Sequence, residues 1–361
     1  MKKEKIRVNK EEKSTAFFFW GIFVLLIMQF IYAPHTDMLI EFSKYFIIGI
    51  ITIITLKFLL RSRENTIFFL RMIVLVISLI SLATIVSQVL YSILGIETIL
   101  IHPYRSLQFP RSVGLYDNPN YYSISLLIGI GIILGFFQQR IISSNQTLYK
   151  IMFLIISLDL ILTFSRGAII AYFLMTVYYV LVKFNISVSS KKVFYSIAIL
   201  LAIILIVPLF NDFVGWNESK IISQLQFRFF DKDFESESRY LLWSRGWDLY
   251  TSSITYFLFG VGGKNFQTYA AYGLDLSVHN SYLRYLYELG LFGAGLLLYL
   301  LITLWRKSVS GFTAFKNPLF FAFLALLLFG LSNDVLYIYE FWVIVACILY
   351  WDSPSRLAKK P

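Results

Sequence analysis

The sequence predicts an all-α fold: a polytopic membrane helix bundle of about ten spans with one long extracytoplasmic loop containing amphipathic helices. Three observations predict it. Of 361 residues, 58% are hydrophobic and 15% charged, and the mean hydropathy is +0.70. Soluble domains are about 45–50% apolar and about 25% charged, and a chain of this size cannot hide so much apolar surface in a soluble core. The apolar residues recur in runs of about 20, the length that a membrane helix needs. The net charge of +11 comes from Lys and Arg gathered between alternate runs, as the positive-inside bias produces. These observations exclude a soluble enzyme, a nucleic-acid-binding domain and a disordered chain. The single cysteine, Cys347, lies in an apolar run, so there is no disulfide framework.

The elements follow in order. The run 16–33 comes after a Lys-rich leader, 1–15, and lacks a small-residue cleavage site, so it reads as an uncleaved anchor. Runs 38–60, 67–95 and 119–137 follow. The stretch 148–184 is too long for one helix and divides at Ser165-Arg166-Gly167 into 148–164 and 167–184, a hairpin. Run 193–213 precedes the loop 214–278, and 279–305, 318–332 and 335–351 complete the set, the last two being short. With a cytoplasmic N-terminus, the inner segments 1–15, 57–71, 138–150, 183–192, 306–316 and 352–361 hold 21 of the 32 basic residues. Ten spans then return the C-terminus to the cytoplasm. The organisation is a basic leader (1–15), seven spans (16–213), the long loop (214–278), three spans (279–351) and a tail (352–361). No internal repeat is visible.

This orientation sorts the unusual residues. His35, His102 and His279, the Asn118-Pro-Asn120 segment, the hairpin tip and the long loop all fall on the outer side. The inner loops are short and carry little besides Lys, Arg and Ser. Any chemistry is therefore extracytoplasmic. Nucleotide donors stay in the cytoplasm, so an energy-rich donor outside must arrive already activated, and a lipid diphosphate fits.

Arg166 stands between two apolar helices. An Arg at a helix centre costs about 2.5–3.5 kcal/mol on insertion scales, and such residues usually mark a site. Read alone, it serves equally as a headgroup anchor. Asp159, two helical turns earlier, is a candidate to orient it. In 239–250, Tyr240, Trp243, Trp247 and Tyr250 cluster on one helical face, as in an amphipathic helix lying at the interface. Arg239 falls beside that aromatic face and Arg245 nearly opposite; a guanidinium suits phosphate because it donates two parallel hydrogen bonds. His279 opens the run after the long loop, where an imidazole can take a proton from a hydroxyl or simply cap a helix. Arg284 and Glu288 are four apart and can pair. Gly131, Gly135, Gly290, Gly293 and Gly295 allow close helix packing. Gly260-Val-Gly-Gly-Lys264 lacks the spacing of a phosphate loop and reads as a tight turn. Asp231-Lys-Asp233 has the form of a metal-holding pair but no strand pattern around it, and the histidines show no zinc spacing. No metal or other cofactor is expected.

Four stretches, in this order, resemble the superfamily of O-antigen ligases and polysaccharide polymerases of the bacterial envelope. They are Gly114-Leu-Tyr-Asp-Asn-Pro-Asn120, Thr163-Phe-Ser-Arg-Gly-Ala168, Ser238-Arg-Tyr-Leu-Leu-Trp243 with Phe259-Gly-Val-Gly262, and His279-Asn-Ser-Tyr with Gly290 and Gly293. The resemblance covers about residues 110–300. It implies transfer of a glycan from undecaprenyl diphosphate to an acceptor hydroxyl at the outer face. It also implies catalytic roles for Arg166 and Arg239, which would hold the diphosphate, and for His279, which would activate or orient the acceptor. Arg111, Asn118, Asn120, Arg245, Asn280 and Glu288 are the expected substrate-binding residues. The implied partners are the lipid-linked glycan donor, a glycan or lipid A–core acceptor and membrane lipid, with a chain-length regulator or flippase as a candidate companion. A polysaccharide polymerase is the leading reading and an O-antigen ligase the close alternative, because the motifs are shared. A protein O-glycosyltransferase usually carries a larger outer domain. A lipid or glycolipid transporter is the alternative of another class, although no repeat symmetry supports it.

Overall fold

A computed structural model of the chain describes residues 10–103, 110–142, 145–184, 234–266, 278–310 and 315–351. The expected span 193–213, most of the basic leader, the C-terminal tail and Asp231-Lys-Asp233 lie outside the described residues. Among the described residues there are eleven helices and one two-stranded antiparallel ladder. Six helices are long and apolar enough to cross a membrane, as expected of a multi-pass membrane protein.

Contacts divide the chain into two compact units. The first comprises Met1–Phe69, Phe234–Leu319 and Gly330–Pro361, and the second Leu70–Asp233 with Phe320–Phe329. The first unit contains α1 (Lys10–Tyr32), α2 (Thr36–Leu59), α7 (Phe234–Thr251), α8 (Ile254–Phe259), α9 (Ser281–Ser308) and α11 (Tyr339–Tyr350). Here α1 packs on α9, α11 on α2, and α8 on α9. The helix α3 (Arg63–Leu94) begins in this unit and runs on into the second.

The second unit is built around α4 (Pro119–Gln138), with α5 (Gln146–Leu162), α6 (Arg166–Lys183) and α10 (Phe320–Phe329) against it. Nearly every side chain of α4 from Tyr122 to Phe136 is buried, so α4 is apolar on all sides, as a helix enclosed by others must be. A side chain at Gly131 would run into the backbone of α10 at Ala322, so the glycine sets how closely the two helices approach. The strands β1 (Ile101–His102) and β2 (Arg111–Ser112) pair His102 with Arg111.

One expectation is refined and another corrected. Among the described residues the runs 318–332 and 335–351 carry helices of ten and twelve residues, α10 and α11, shorter than the runs themselves. The cause is the polar stretch Ser332-Asn333-Asp334, where the chain leaves the helical conformation and its backbone is bonded to α9 instead. The aromatic face of α7 also does not lie wholly outward. Tyr250 is buried with Val261, Phe266, Val278 and Tyr287, Trp243 packs against the same cluster, and Trp247 alone of these described rings is 52% exposed. Periodicity identifies such a face but not what covers it.

The helix α9 is broken inside. Gly290 has φ 68° and ψ −170°, conformations that a side chain resists. A break deprives the carbonyls just before it of their helical partners. They are paired by the α8–Asn265 loop: Val261 N–H donates to Tyr287 O at 2.9 Å and Gly262 N–H to Glu288 O at 3.2 Å. Gln29, a fully buried amide in α1, donates to Glu288 O at 2.8 Å and to Phe259 O at 2.6 Å, and accepts from Gly263 N–H. A Cβ at Gly290 would collide with the backbone of Leu258 and Gly260. Gly290→Ala is therefore expected to destabilise the protein by about 2 kcal/mol or more, as large backbone effects do. Unfolding in detergent, read beside Gly295→Ala at an open position, checks this.

Candidate functional site

In the second unit, the α5–α6 hairpin tip is held by a chain of small polar groups. Thr163 caps the end of α5 and Phe164 takes a left-handed conformation, φ 49°, before Ser165 opens α6. Arg111, buried in β2, donates its Nε to Thr163 O at 2.7 Å. The Thr163 hydroxyl receives the Ser123 hydroxyl at 3.1 Å and the Ser165 N–H at 3.3 Å. Ser123 in turn belongs to the first turns of α4, donating to Pro119 O. These bonds bring the N-terminus of α4 beside the N-terminus of α6.

The two helix starts differ. Asn118 caps α4, accepting from Asn120 N–H at 2.8 Å. Asn120 leaves its side-chain amide without a partner among the described residues. Ser165 stands at the N-cap of α6 but its hydroxyl makes no capping bond. Arg166, the first residue of α6, is partly exposed and makes no ion pair or hydrogen bond among the described residues. An uncapped helix start carries N–H groups and the positive end of the helix dipole, and so favours an anion. Asp159 does not orient Arg166. Its carboxylate is buried and accepts from the Tyr122 hydroxyl at 2.5 Å. Gln88 completes the surroundings, donating to Pro110 O and to the Ser112 hydroxyl. Sequence reasoning missed Ser123, Thr163 and Gln88 as supports.

In the first unit, His279 is partly exposed and also left-handed, φ 51°. Conformations of this kind in a non-glycine residue persist where neighbours impose them, often at functional sites. Just before it, Val278 O accepts from Trp243 Nε1 at 2.8 Å, which ties α7 to the chain at His279. Just after it, Asn280 caps α9: its Oδ1 accepts from Tyr282 N–H and Leu283 N–H at 3.0 and 3.1 Å. Its Nδ2 donates to Leu331 O at 3.0 Å. Arg245 is partly buried in α7. Arg239 belongs to the same helix, but its side chain lies outside what the structure describes.

Glu288 is fully buried, and its carboxylate pairs with Arg284 Nε, 3.2 Å from each oxygen. Arg284 Nη1 is also 3.4 Å from Asp334, and the guanidinium lies 4.7 Å from the Tyr337 ring centre. The i,i+4 pair expected from the sequence is thus part of a buried cluster that joins α9 to the chain ahead of α11. Its place is the protein interior.

The fold and these helix-end sites define a multi-pass membrane protein with cationic and imidazole groups at helix starts. Residues 151–298 match the family model described as O-antigen ligase. The matched region takes in the hairpin bearing Arg166, the helix α7 and the His279-Asn280 start of α9. The match agrees with the resemblance read from the motifs and implies glycan transfer of the ligase or polymerase type. None of the curated proteins matches the chain.

Removing one partner of a buried charge cluster strands the others at a cost of about 3–5 kcal/mol. Arg284→Met is expected to lose stability on that scale, because two buried carboxylates then lack their cation. Thermal unfolding of the purified protein against the wild type measures it.

Proposed function

We propose that the protein transfers a glycan from undecaprenyl diphosphate to a hydroxyl of an acceptor glycan, at the outer face of the cytoplasmic membrane. In this reading it is a polymerase that joins lipid-linked repeat units into a surface polysaccharide. The carrying observation is Arg166, a guanidinium with no partner among the described residues, at the uncapped start of α6. A diphosphate supplies the anion that such a helix start lacks. The match of residues 151–298 to the O-antigen ligase model supports the same chemistry.

The mechanism follows from where charge develops. The bond between the anomeric carbon and the diphosphate oxygen breaks, and negative charge builds on the leaving group. The Arg166 guanidinium and the first N–H groups of α6 stabilise that charge, with Arg239 as the second cation. Two guanidiniums serve in this reading as a metal serves soluble transferases. His279 takes the proton from the acceptor hydroxyl as its oxygen bonds to the anomeric carbon. Undecaprenyl diphosphate leaves on the side opposite to attack, so the anomeric configuration inverts. Asn118, Asn120, Arg111 and Arg245 contribute to substrate binding, and Asn280 acts by holding the backbone next to His279. In this reading both termini lie in the cytoplasm, and a chain-length regulator or flippase is a candidate partner.

The match to the O-antigen ligase family model equally supports a second reading, ligation of a finished chain to lipid A–core. A deletion strain separates the two: loss of a polymerase leaves single repeat units attached, whereas loss of a ligase leaves long chains on the lipid carrier.

Arg166→Lys keeps the charge but loses the bidentate fork, and the transfer rate is expected to fall about 100- to 1,000-fold. His279→Ala is expected to lower it about 100- to 10,000-fold with membrane insertion unchanged. Glycan length on gels and the transfer rate of purified protein read both. Near-normal length in either variant contradicts the role assigned to that residue. A product that retains the donor's anomeric configuration contradicts single displacement.

A further inference from the structure

Ser281 is the most heavily bonded small side chain near His279. It is fully buried at the first turn of α9. Its hydroxyl donates to Asn333 O at 2.8 Å and accepts from Val335 N–H at 2.8 Å and Leu336 N–H at 3.3 Å. A hydroxyl has one proton and two lone pairs, so its capacity is fully used. The Ser281 N–H adds a bond to Gly330 O at 2.8 Å, and the neighbouring Asn280 amide one to Leu331 O at 3.0 Å. The non-helical stretch 330–336 is therefore stitched to the two residues that follow His279. On the other side, Val278 is buried and held by Trp243.

His279 sits between these anchors with φ 51°. A left-handed backbone at a residue with a Cβ is unfavourable by itself and needs surroundings that impose it. The bonds from Ser281 are such surroundings, and they fix the direction in which the imidazole leaves the chain. Stretch 330–336 comes from about 50 residues further along the sequence, so this is a tertiary clamp and not a helix cap.

We propose that Ser281 is a positioning residue for His279, which clamps the left-handed backbone at the histidine through stretch 330–336 and so aims the imidazole at the acceptor hydroxyl. It makes no contact with the reacting atoms. The proposal rests on the functional reading above for its consequence and on the geometry alone for the clamp.

The test uses the full-length protein in lipid nanodiscs, with Ser281→Ala and Ser281→Thr. Two readouts are taken: the kinetics of glycan transfer, and the rate at which diethyl pyrocarbonate modifies each histidine, resolved by peptide mass spectrometry. The chain has three histidines, His35, His102 and His279, so two serve as internal controls. In Ser281→Ala, kcat is expected to fall about 10- to 100-fold, the scale of a misplacement near 1 Å, with KM for the donor within twofold. The His279 modification rate is expected to change by about fivefold or more while those of His35 and His102 hold. Ser281→Thr keeps the hydroxyl and is expected to restore both readouts to within about threefold of wild type.

Wild-type kcat in Ser281→Ala overturns the proposal, as does a common change at all three histidines. A Ser281→Ala protein that does not assemble makes Ser281 a folding residue and also overturns it. A folded Ser281→Thr protein with lost transfer shows that the hydroxyl is not the relevant group. Unimpaired transfer in His279→Ala contradicts the functional reading instead; the altered modification rate of His279 in Ser281→Ala then still stands as evidence for the clamp.

Discussion

The break in α9 at Gly290 is the constraint on which the first unit depends. A helix interrupted among apolar neighbours leaves carbonyls that water does not reach, and each must find a donor within the protein. Tyr287 O and Glu288 O find them in Val261, Gly262 and the Gln29 amide. Meeting that need fixes the loop after α8, seats α1 against it, and frees the first turns of α9 to carry their own direction. The same turns hold Asn280, Ser281, Arg284 and Glu288, so the backbone at His279 is set by how this half-helix is anchored.

The second unit solves a related problem by leaving it unsolved. Asn118 satisfies the start of α4 with its own side chain, but the start of α6 has no such cap. Evolution commonly satisfies helix ends, because an orphan N–H is costly when buried. A start that keeps uncapped N–H groups and an arginine without a partner among the described residues is suited to an anionic guest. Buried supports keep it in shape: Arg111, Thr163 and Ser123 tie the hairpin tip to α4 without using Arg166. Arg111, buried and bonded to Thr163 O, holds the tip in shape, while Arg166 is partly exposed and without a partner among the described residues.

Much of the fold was legible in the sequence, because length and hydropathy decide where a helix spans. The hairpin at Ser165-Arg166-Gly167 came from a charge placed where an apolar run stops, and the start of α9 falls within two residues of the expected run 279–305. The Arg284–Glu288 pair came from i,i+4 spacing. Its third member did not, since Asp334 is brought in by tertiary structure from far along the chain. Gly290 read as a packing residue, because a glycine in an apolar run gives no sign of whether it permits a close approach or a positive φ. Gln29 and the supporting role of Ser281 went unread, as their partners are backbone atoms, which carry no sequence signal. The α7 aromatics showed a face but not its cover, and the buried Tyr250 was read as interfacial. Arg166 and His279 were legible as candidates because a cation and an imidazole in so apolar a chain need a reason to be there.

The central claim is that chemical energy stored in a lipid diphosphate drives glycan transfer with no soluble donor. Its most direct measurement uses purified protein in nanodiscs with a labelled undecaprenyl-diphosphate oligosaccharide and an acceptor, in the absence of any nucleotide. The account predicts glycan transfer matched one for one by release of undecaprenyl diphosphate. Intact donor after prolonged incubation with folded protein, or transfer that begins only when a nucleotide sugar is added, would contradict it.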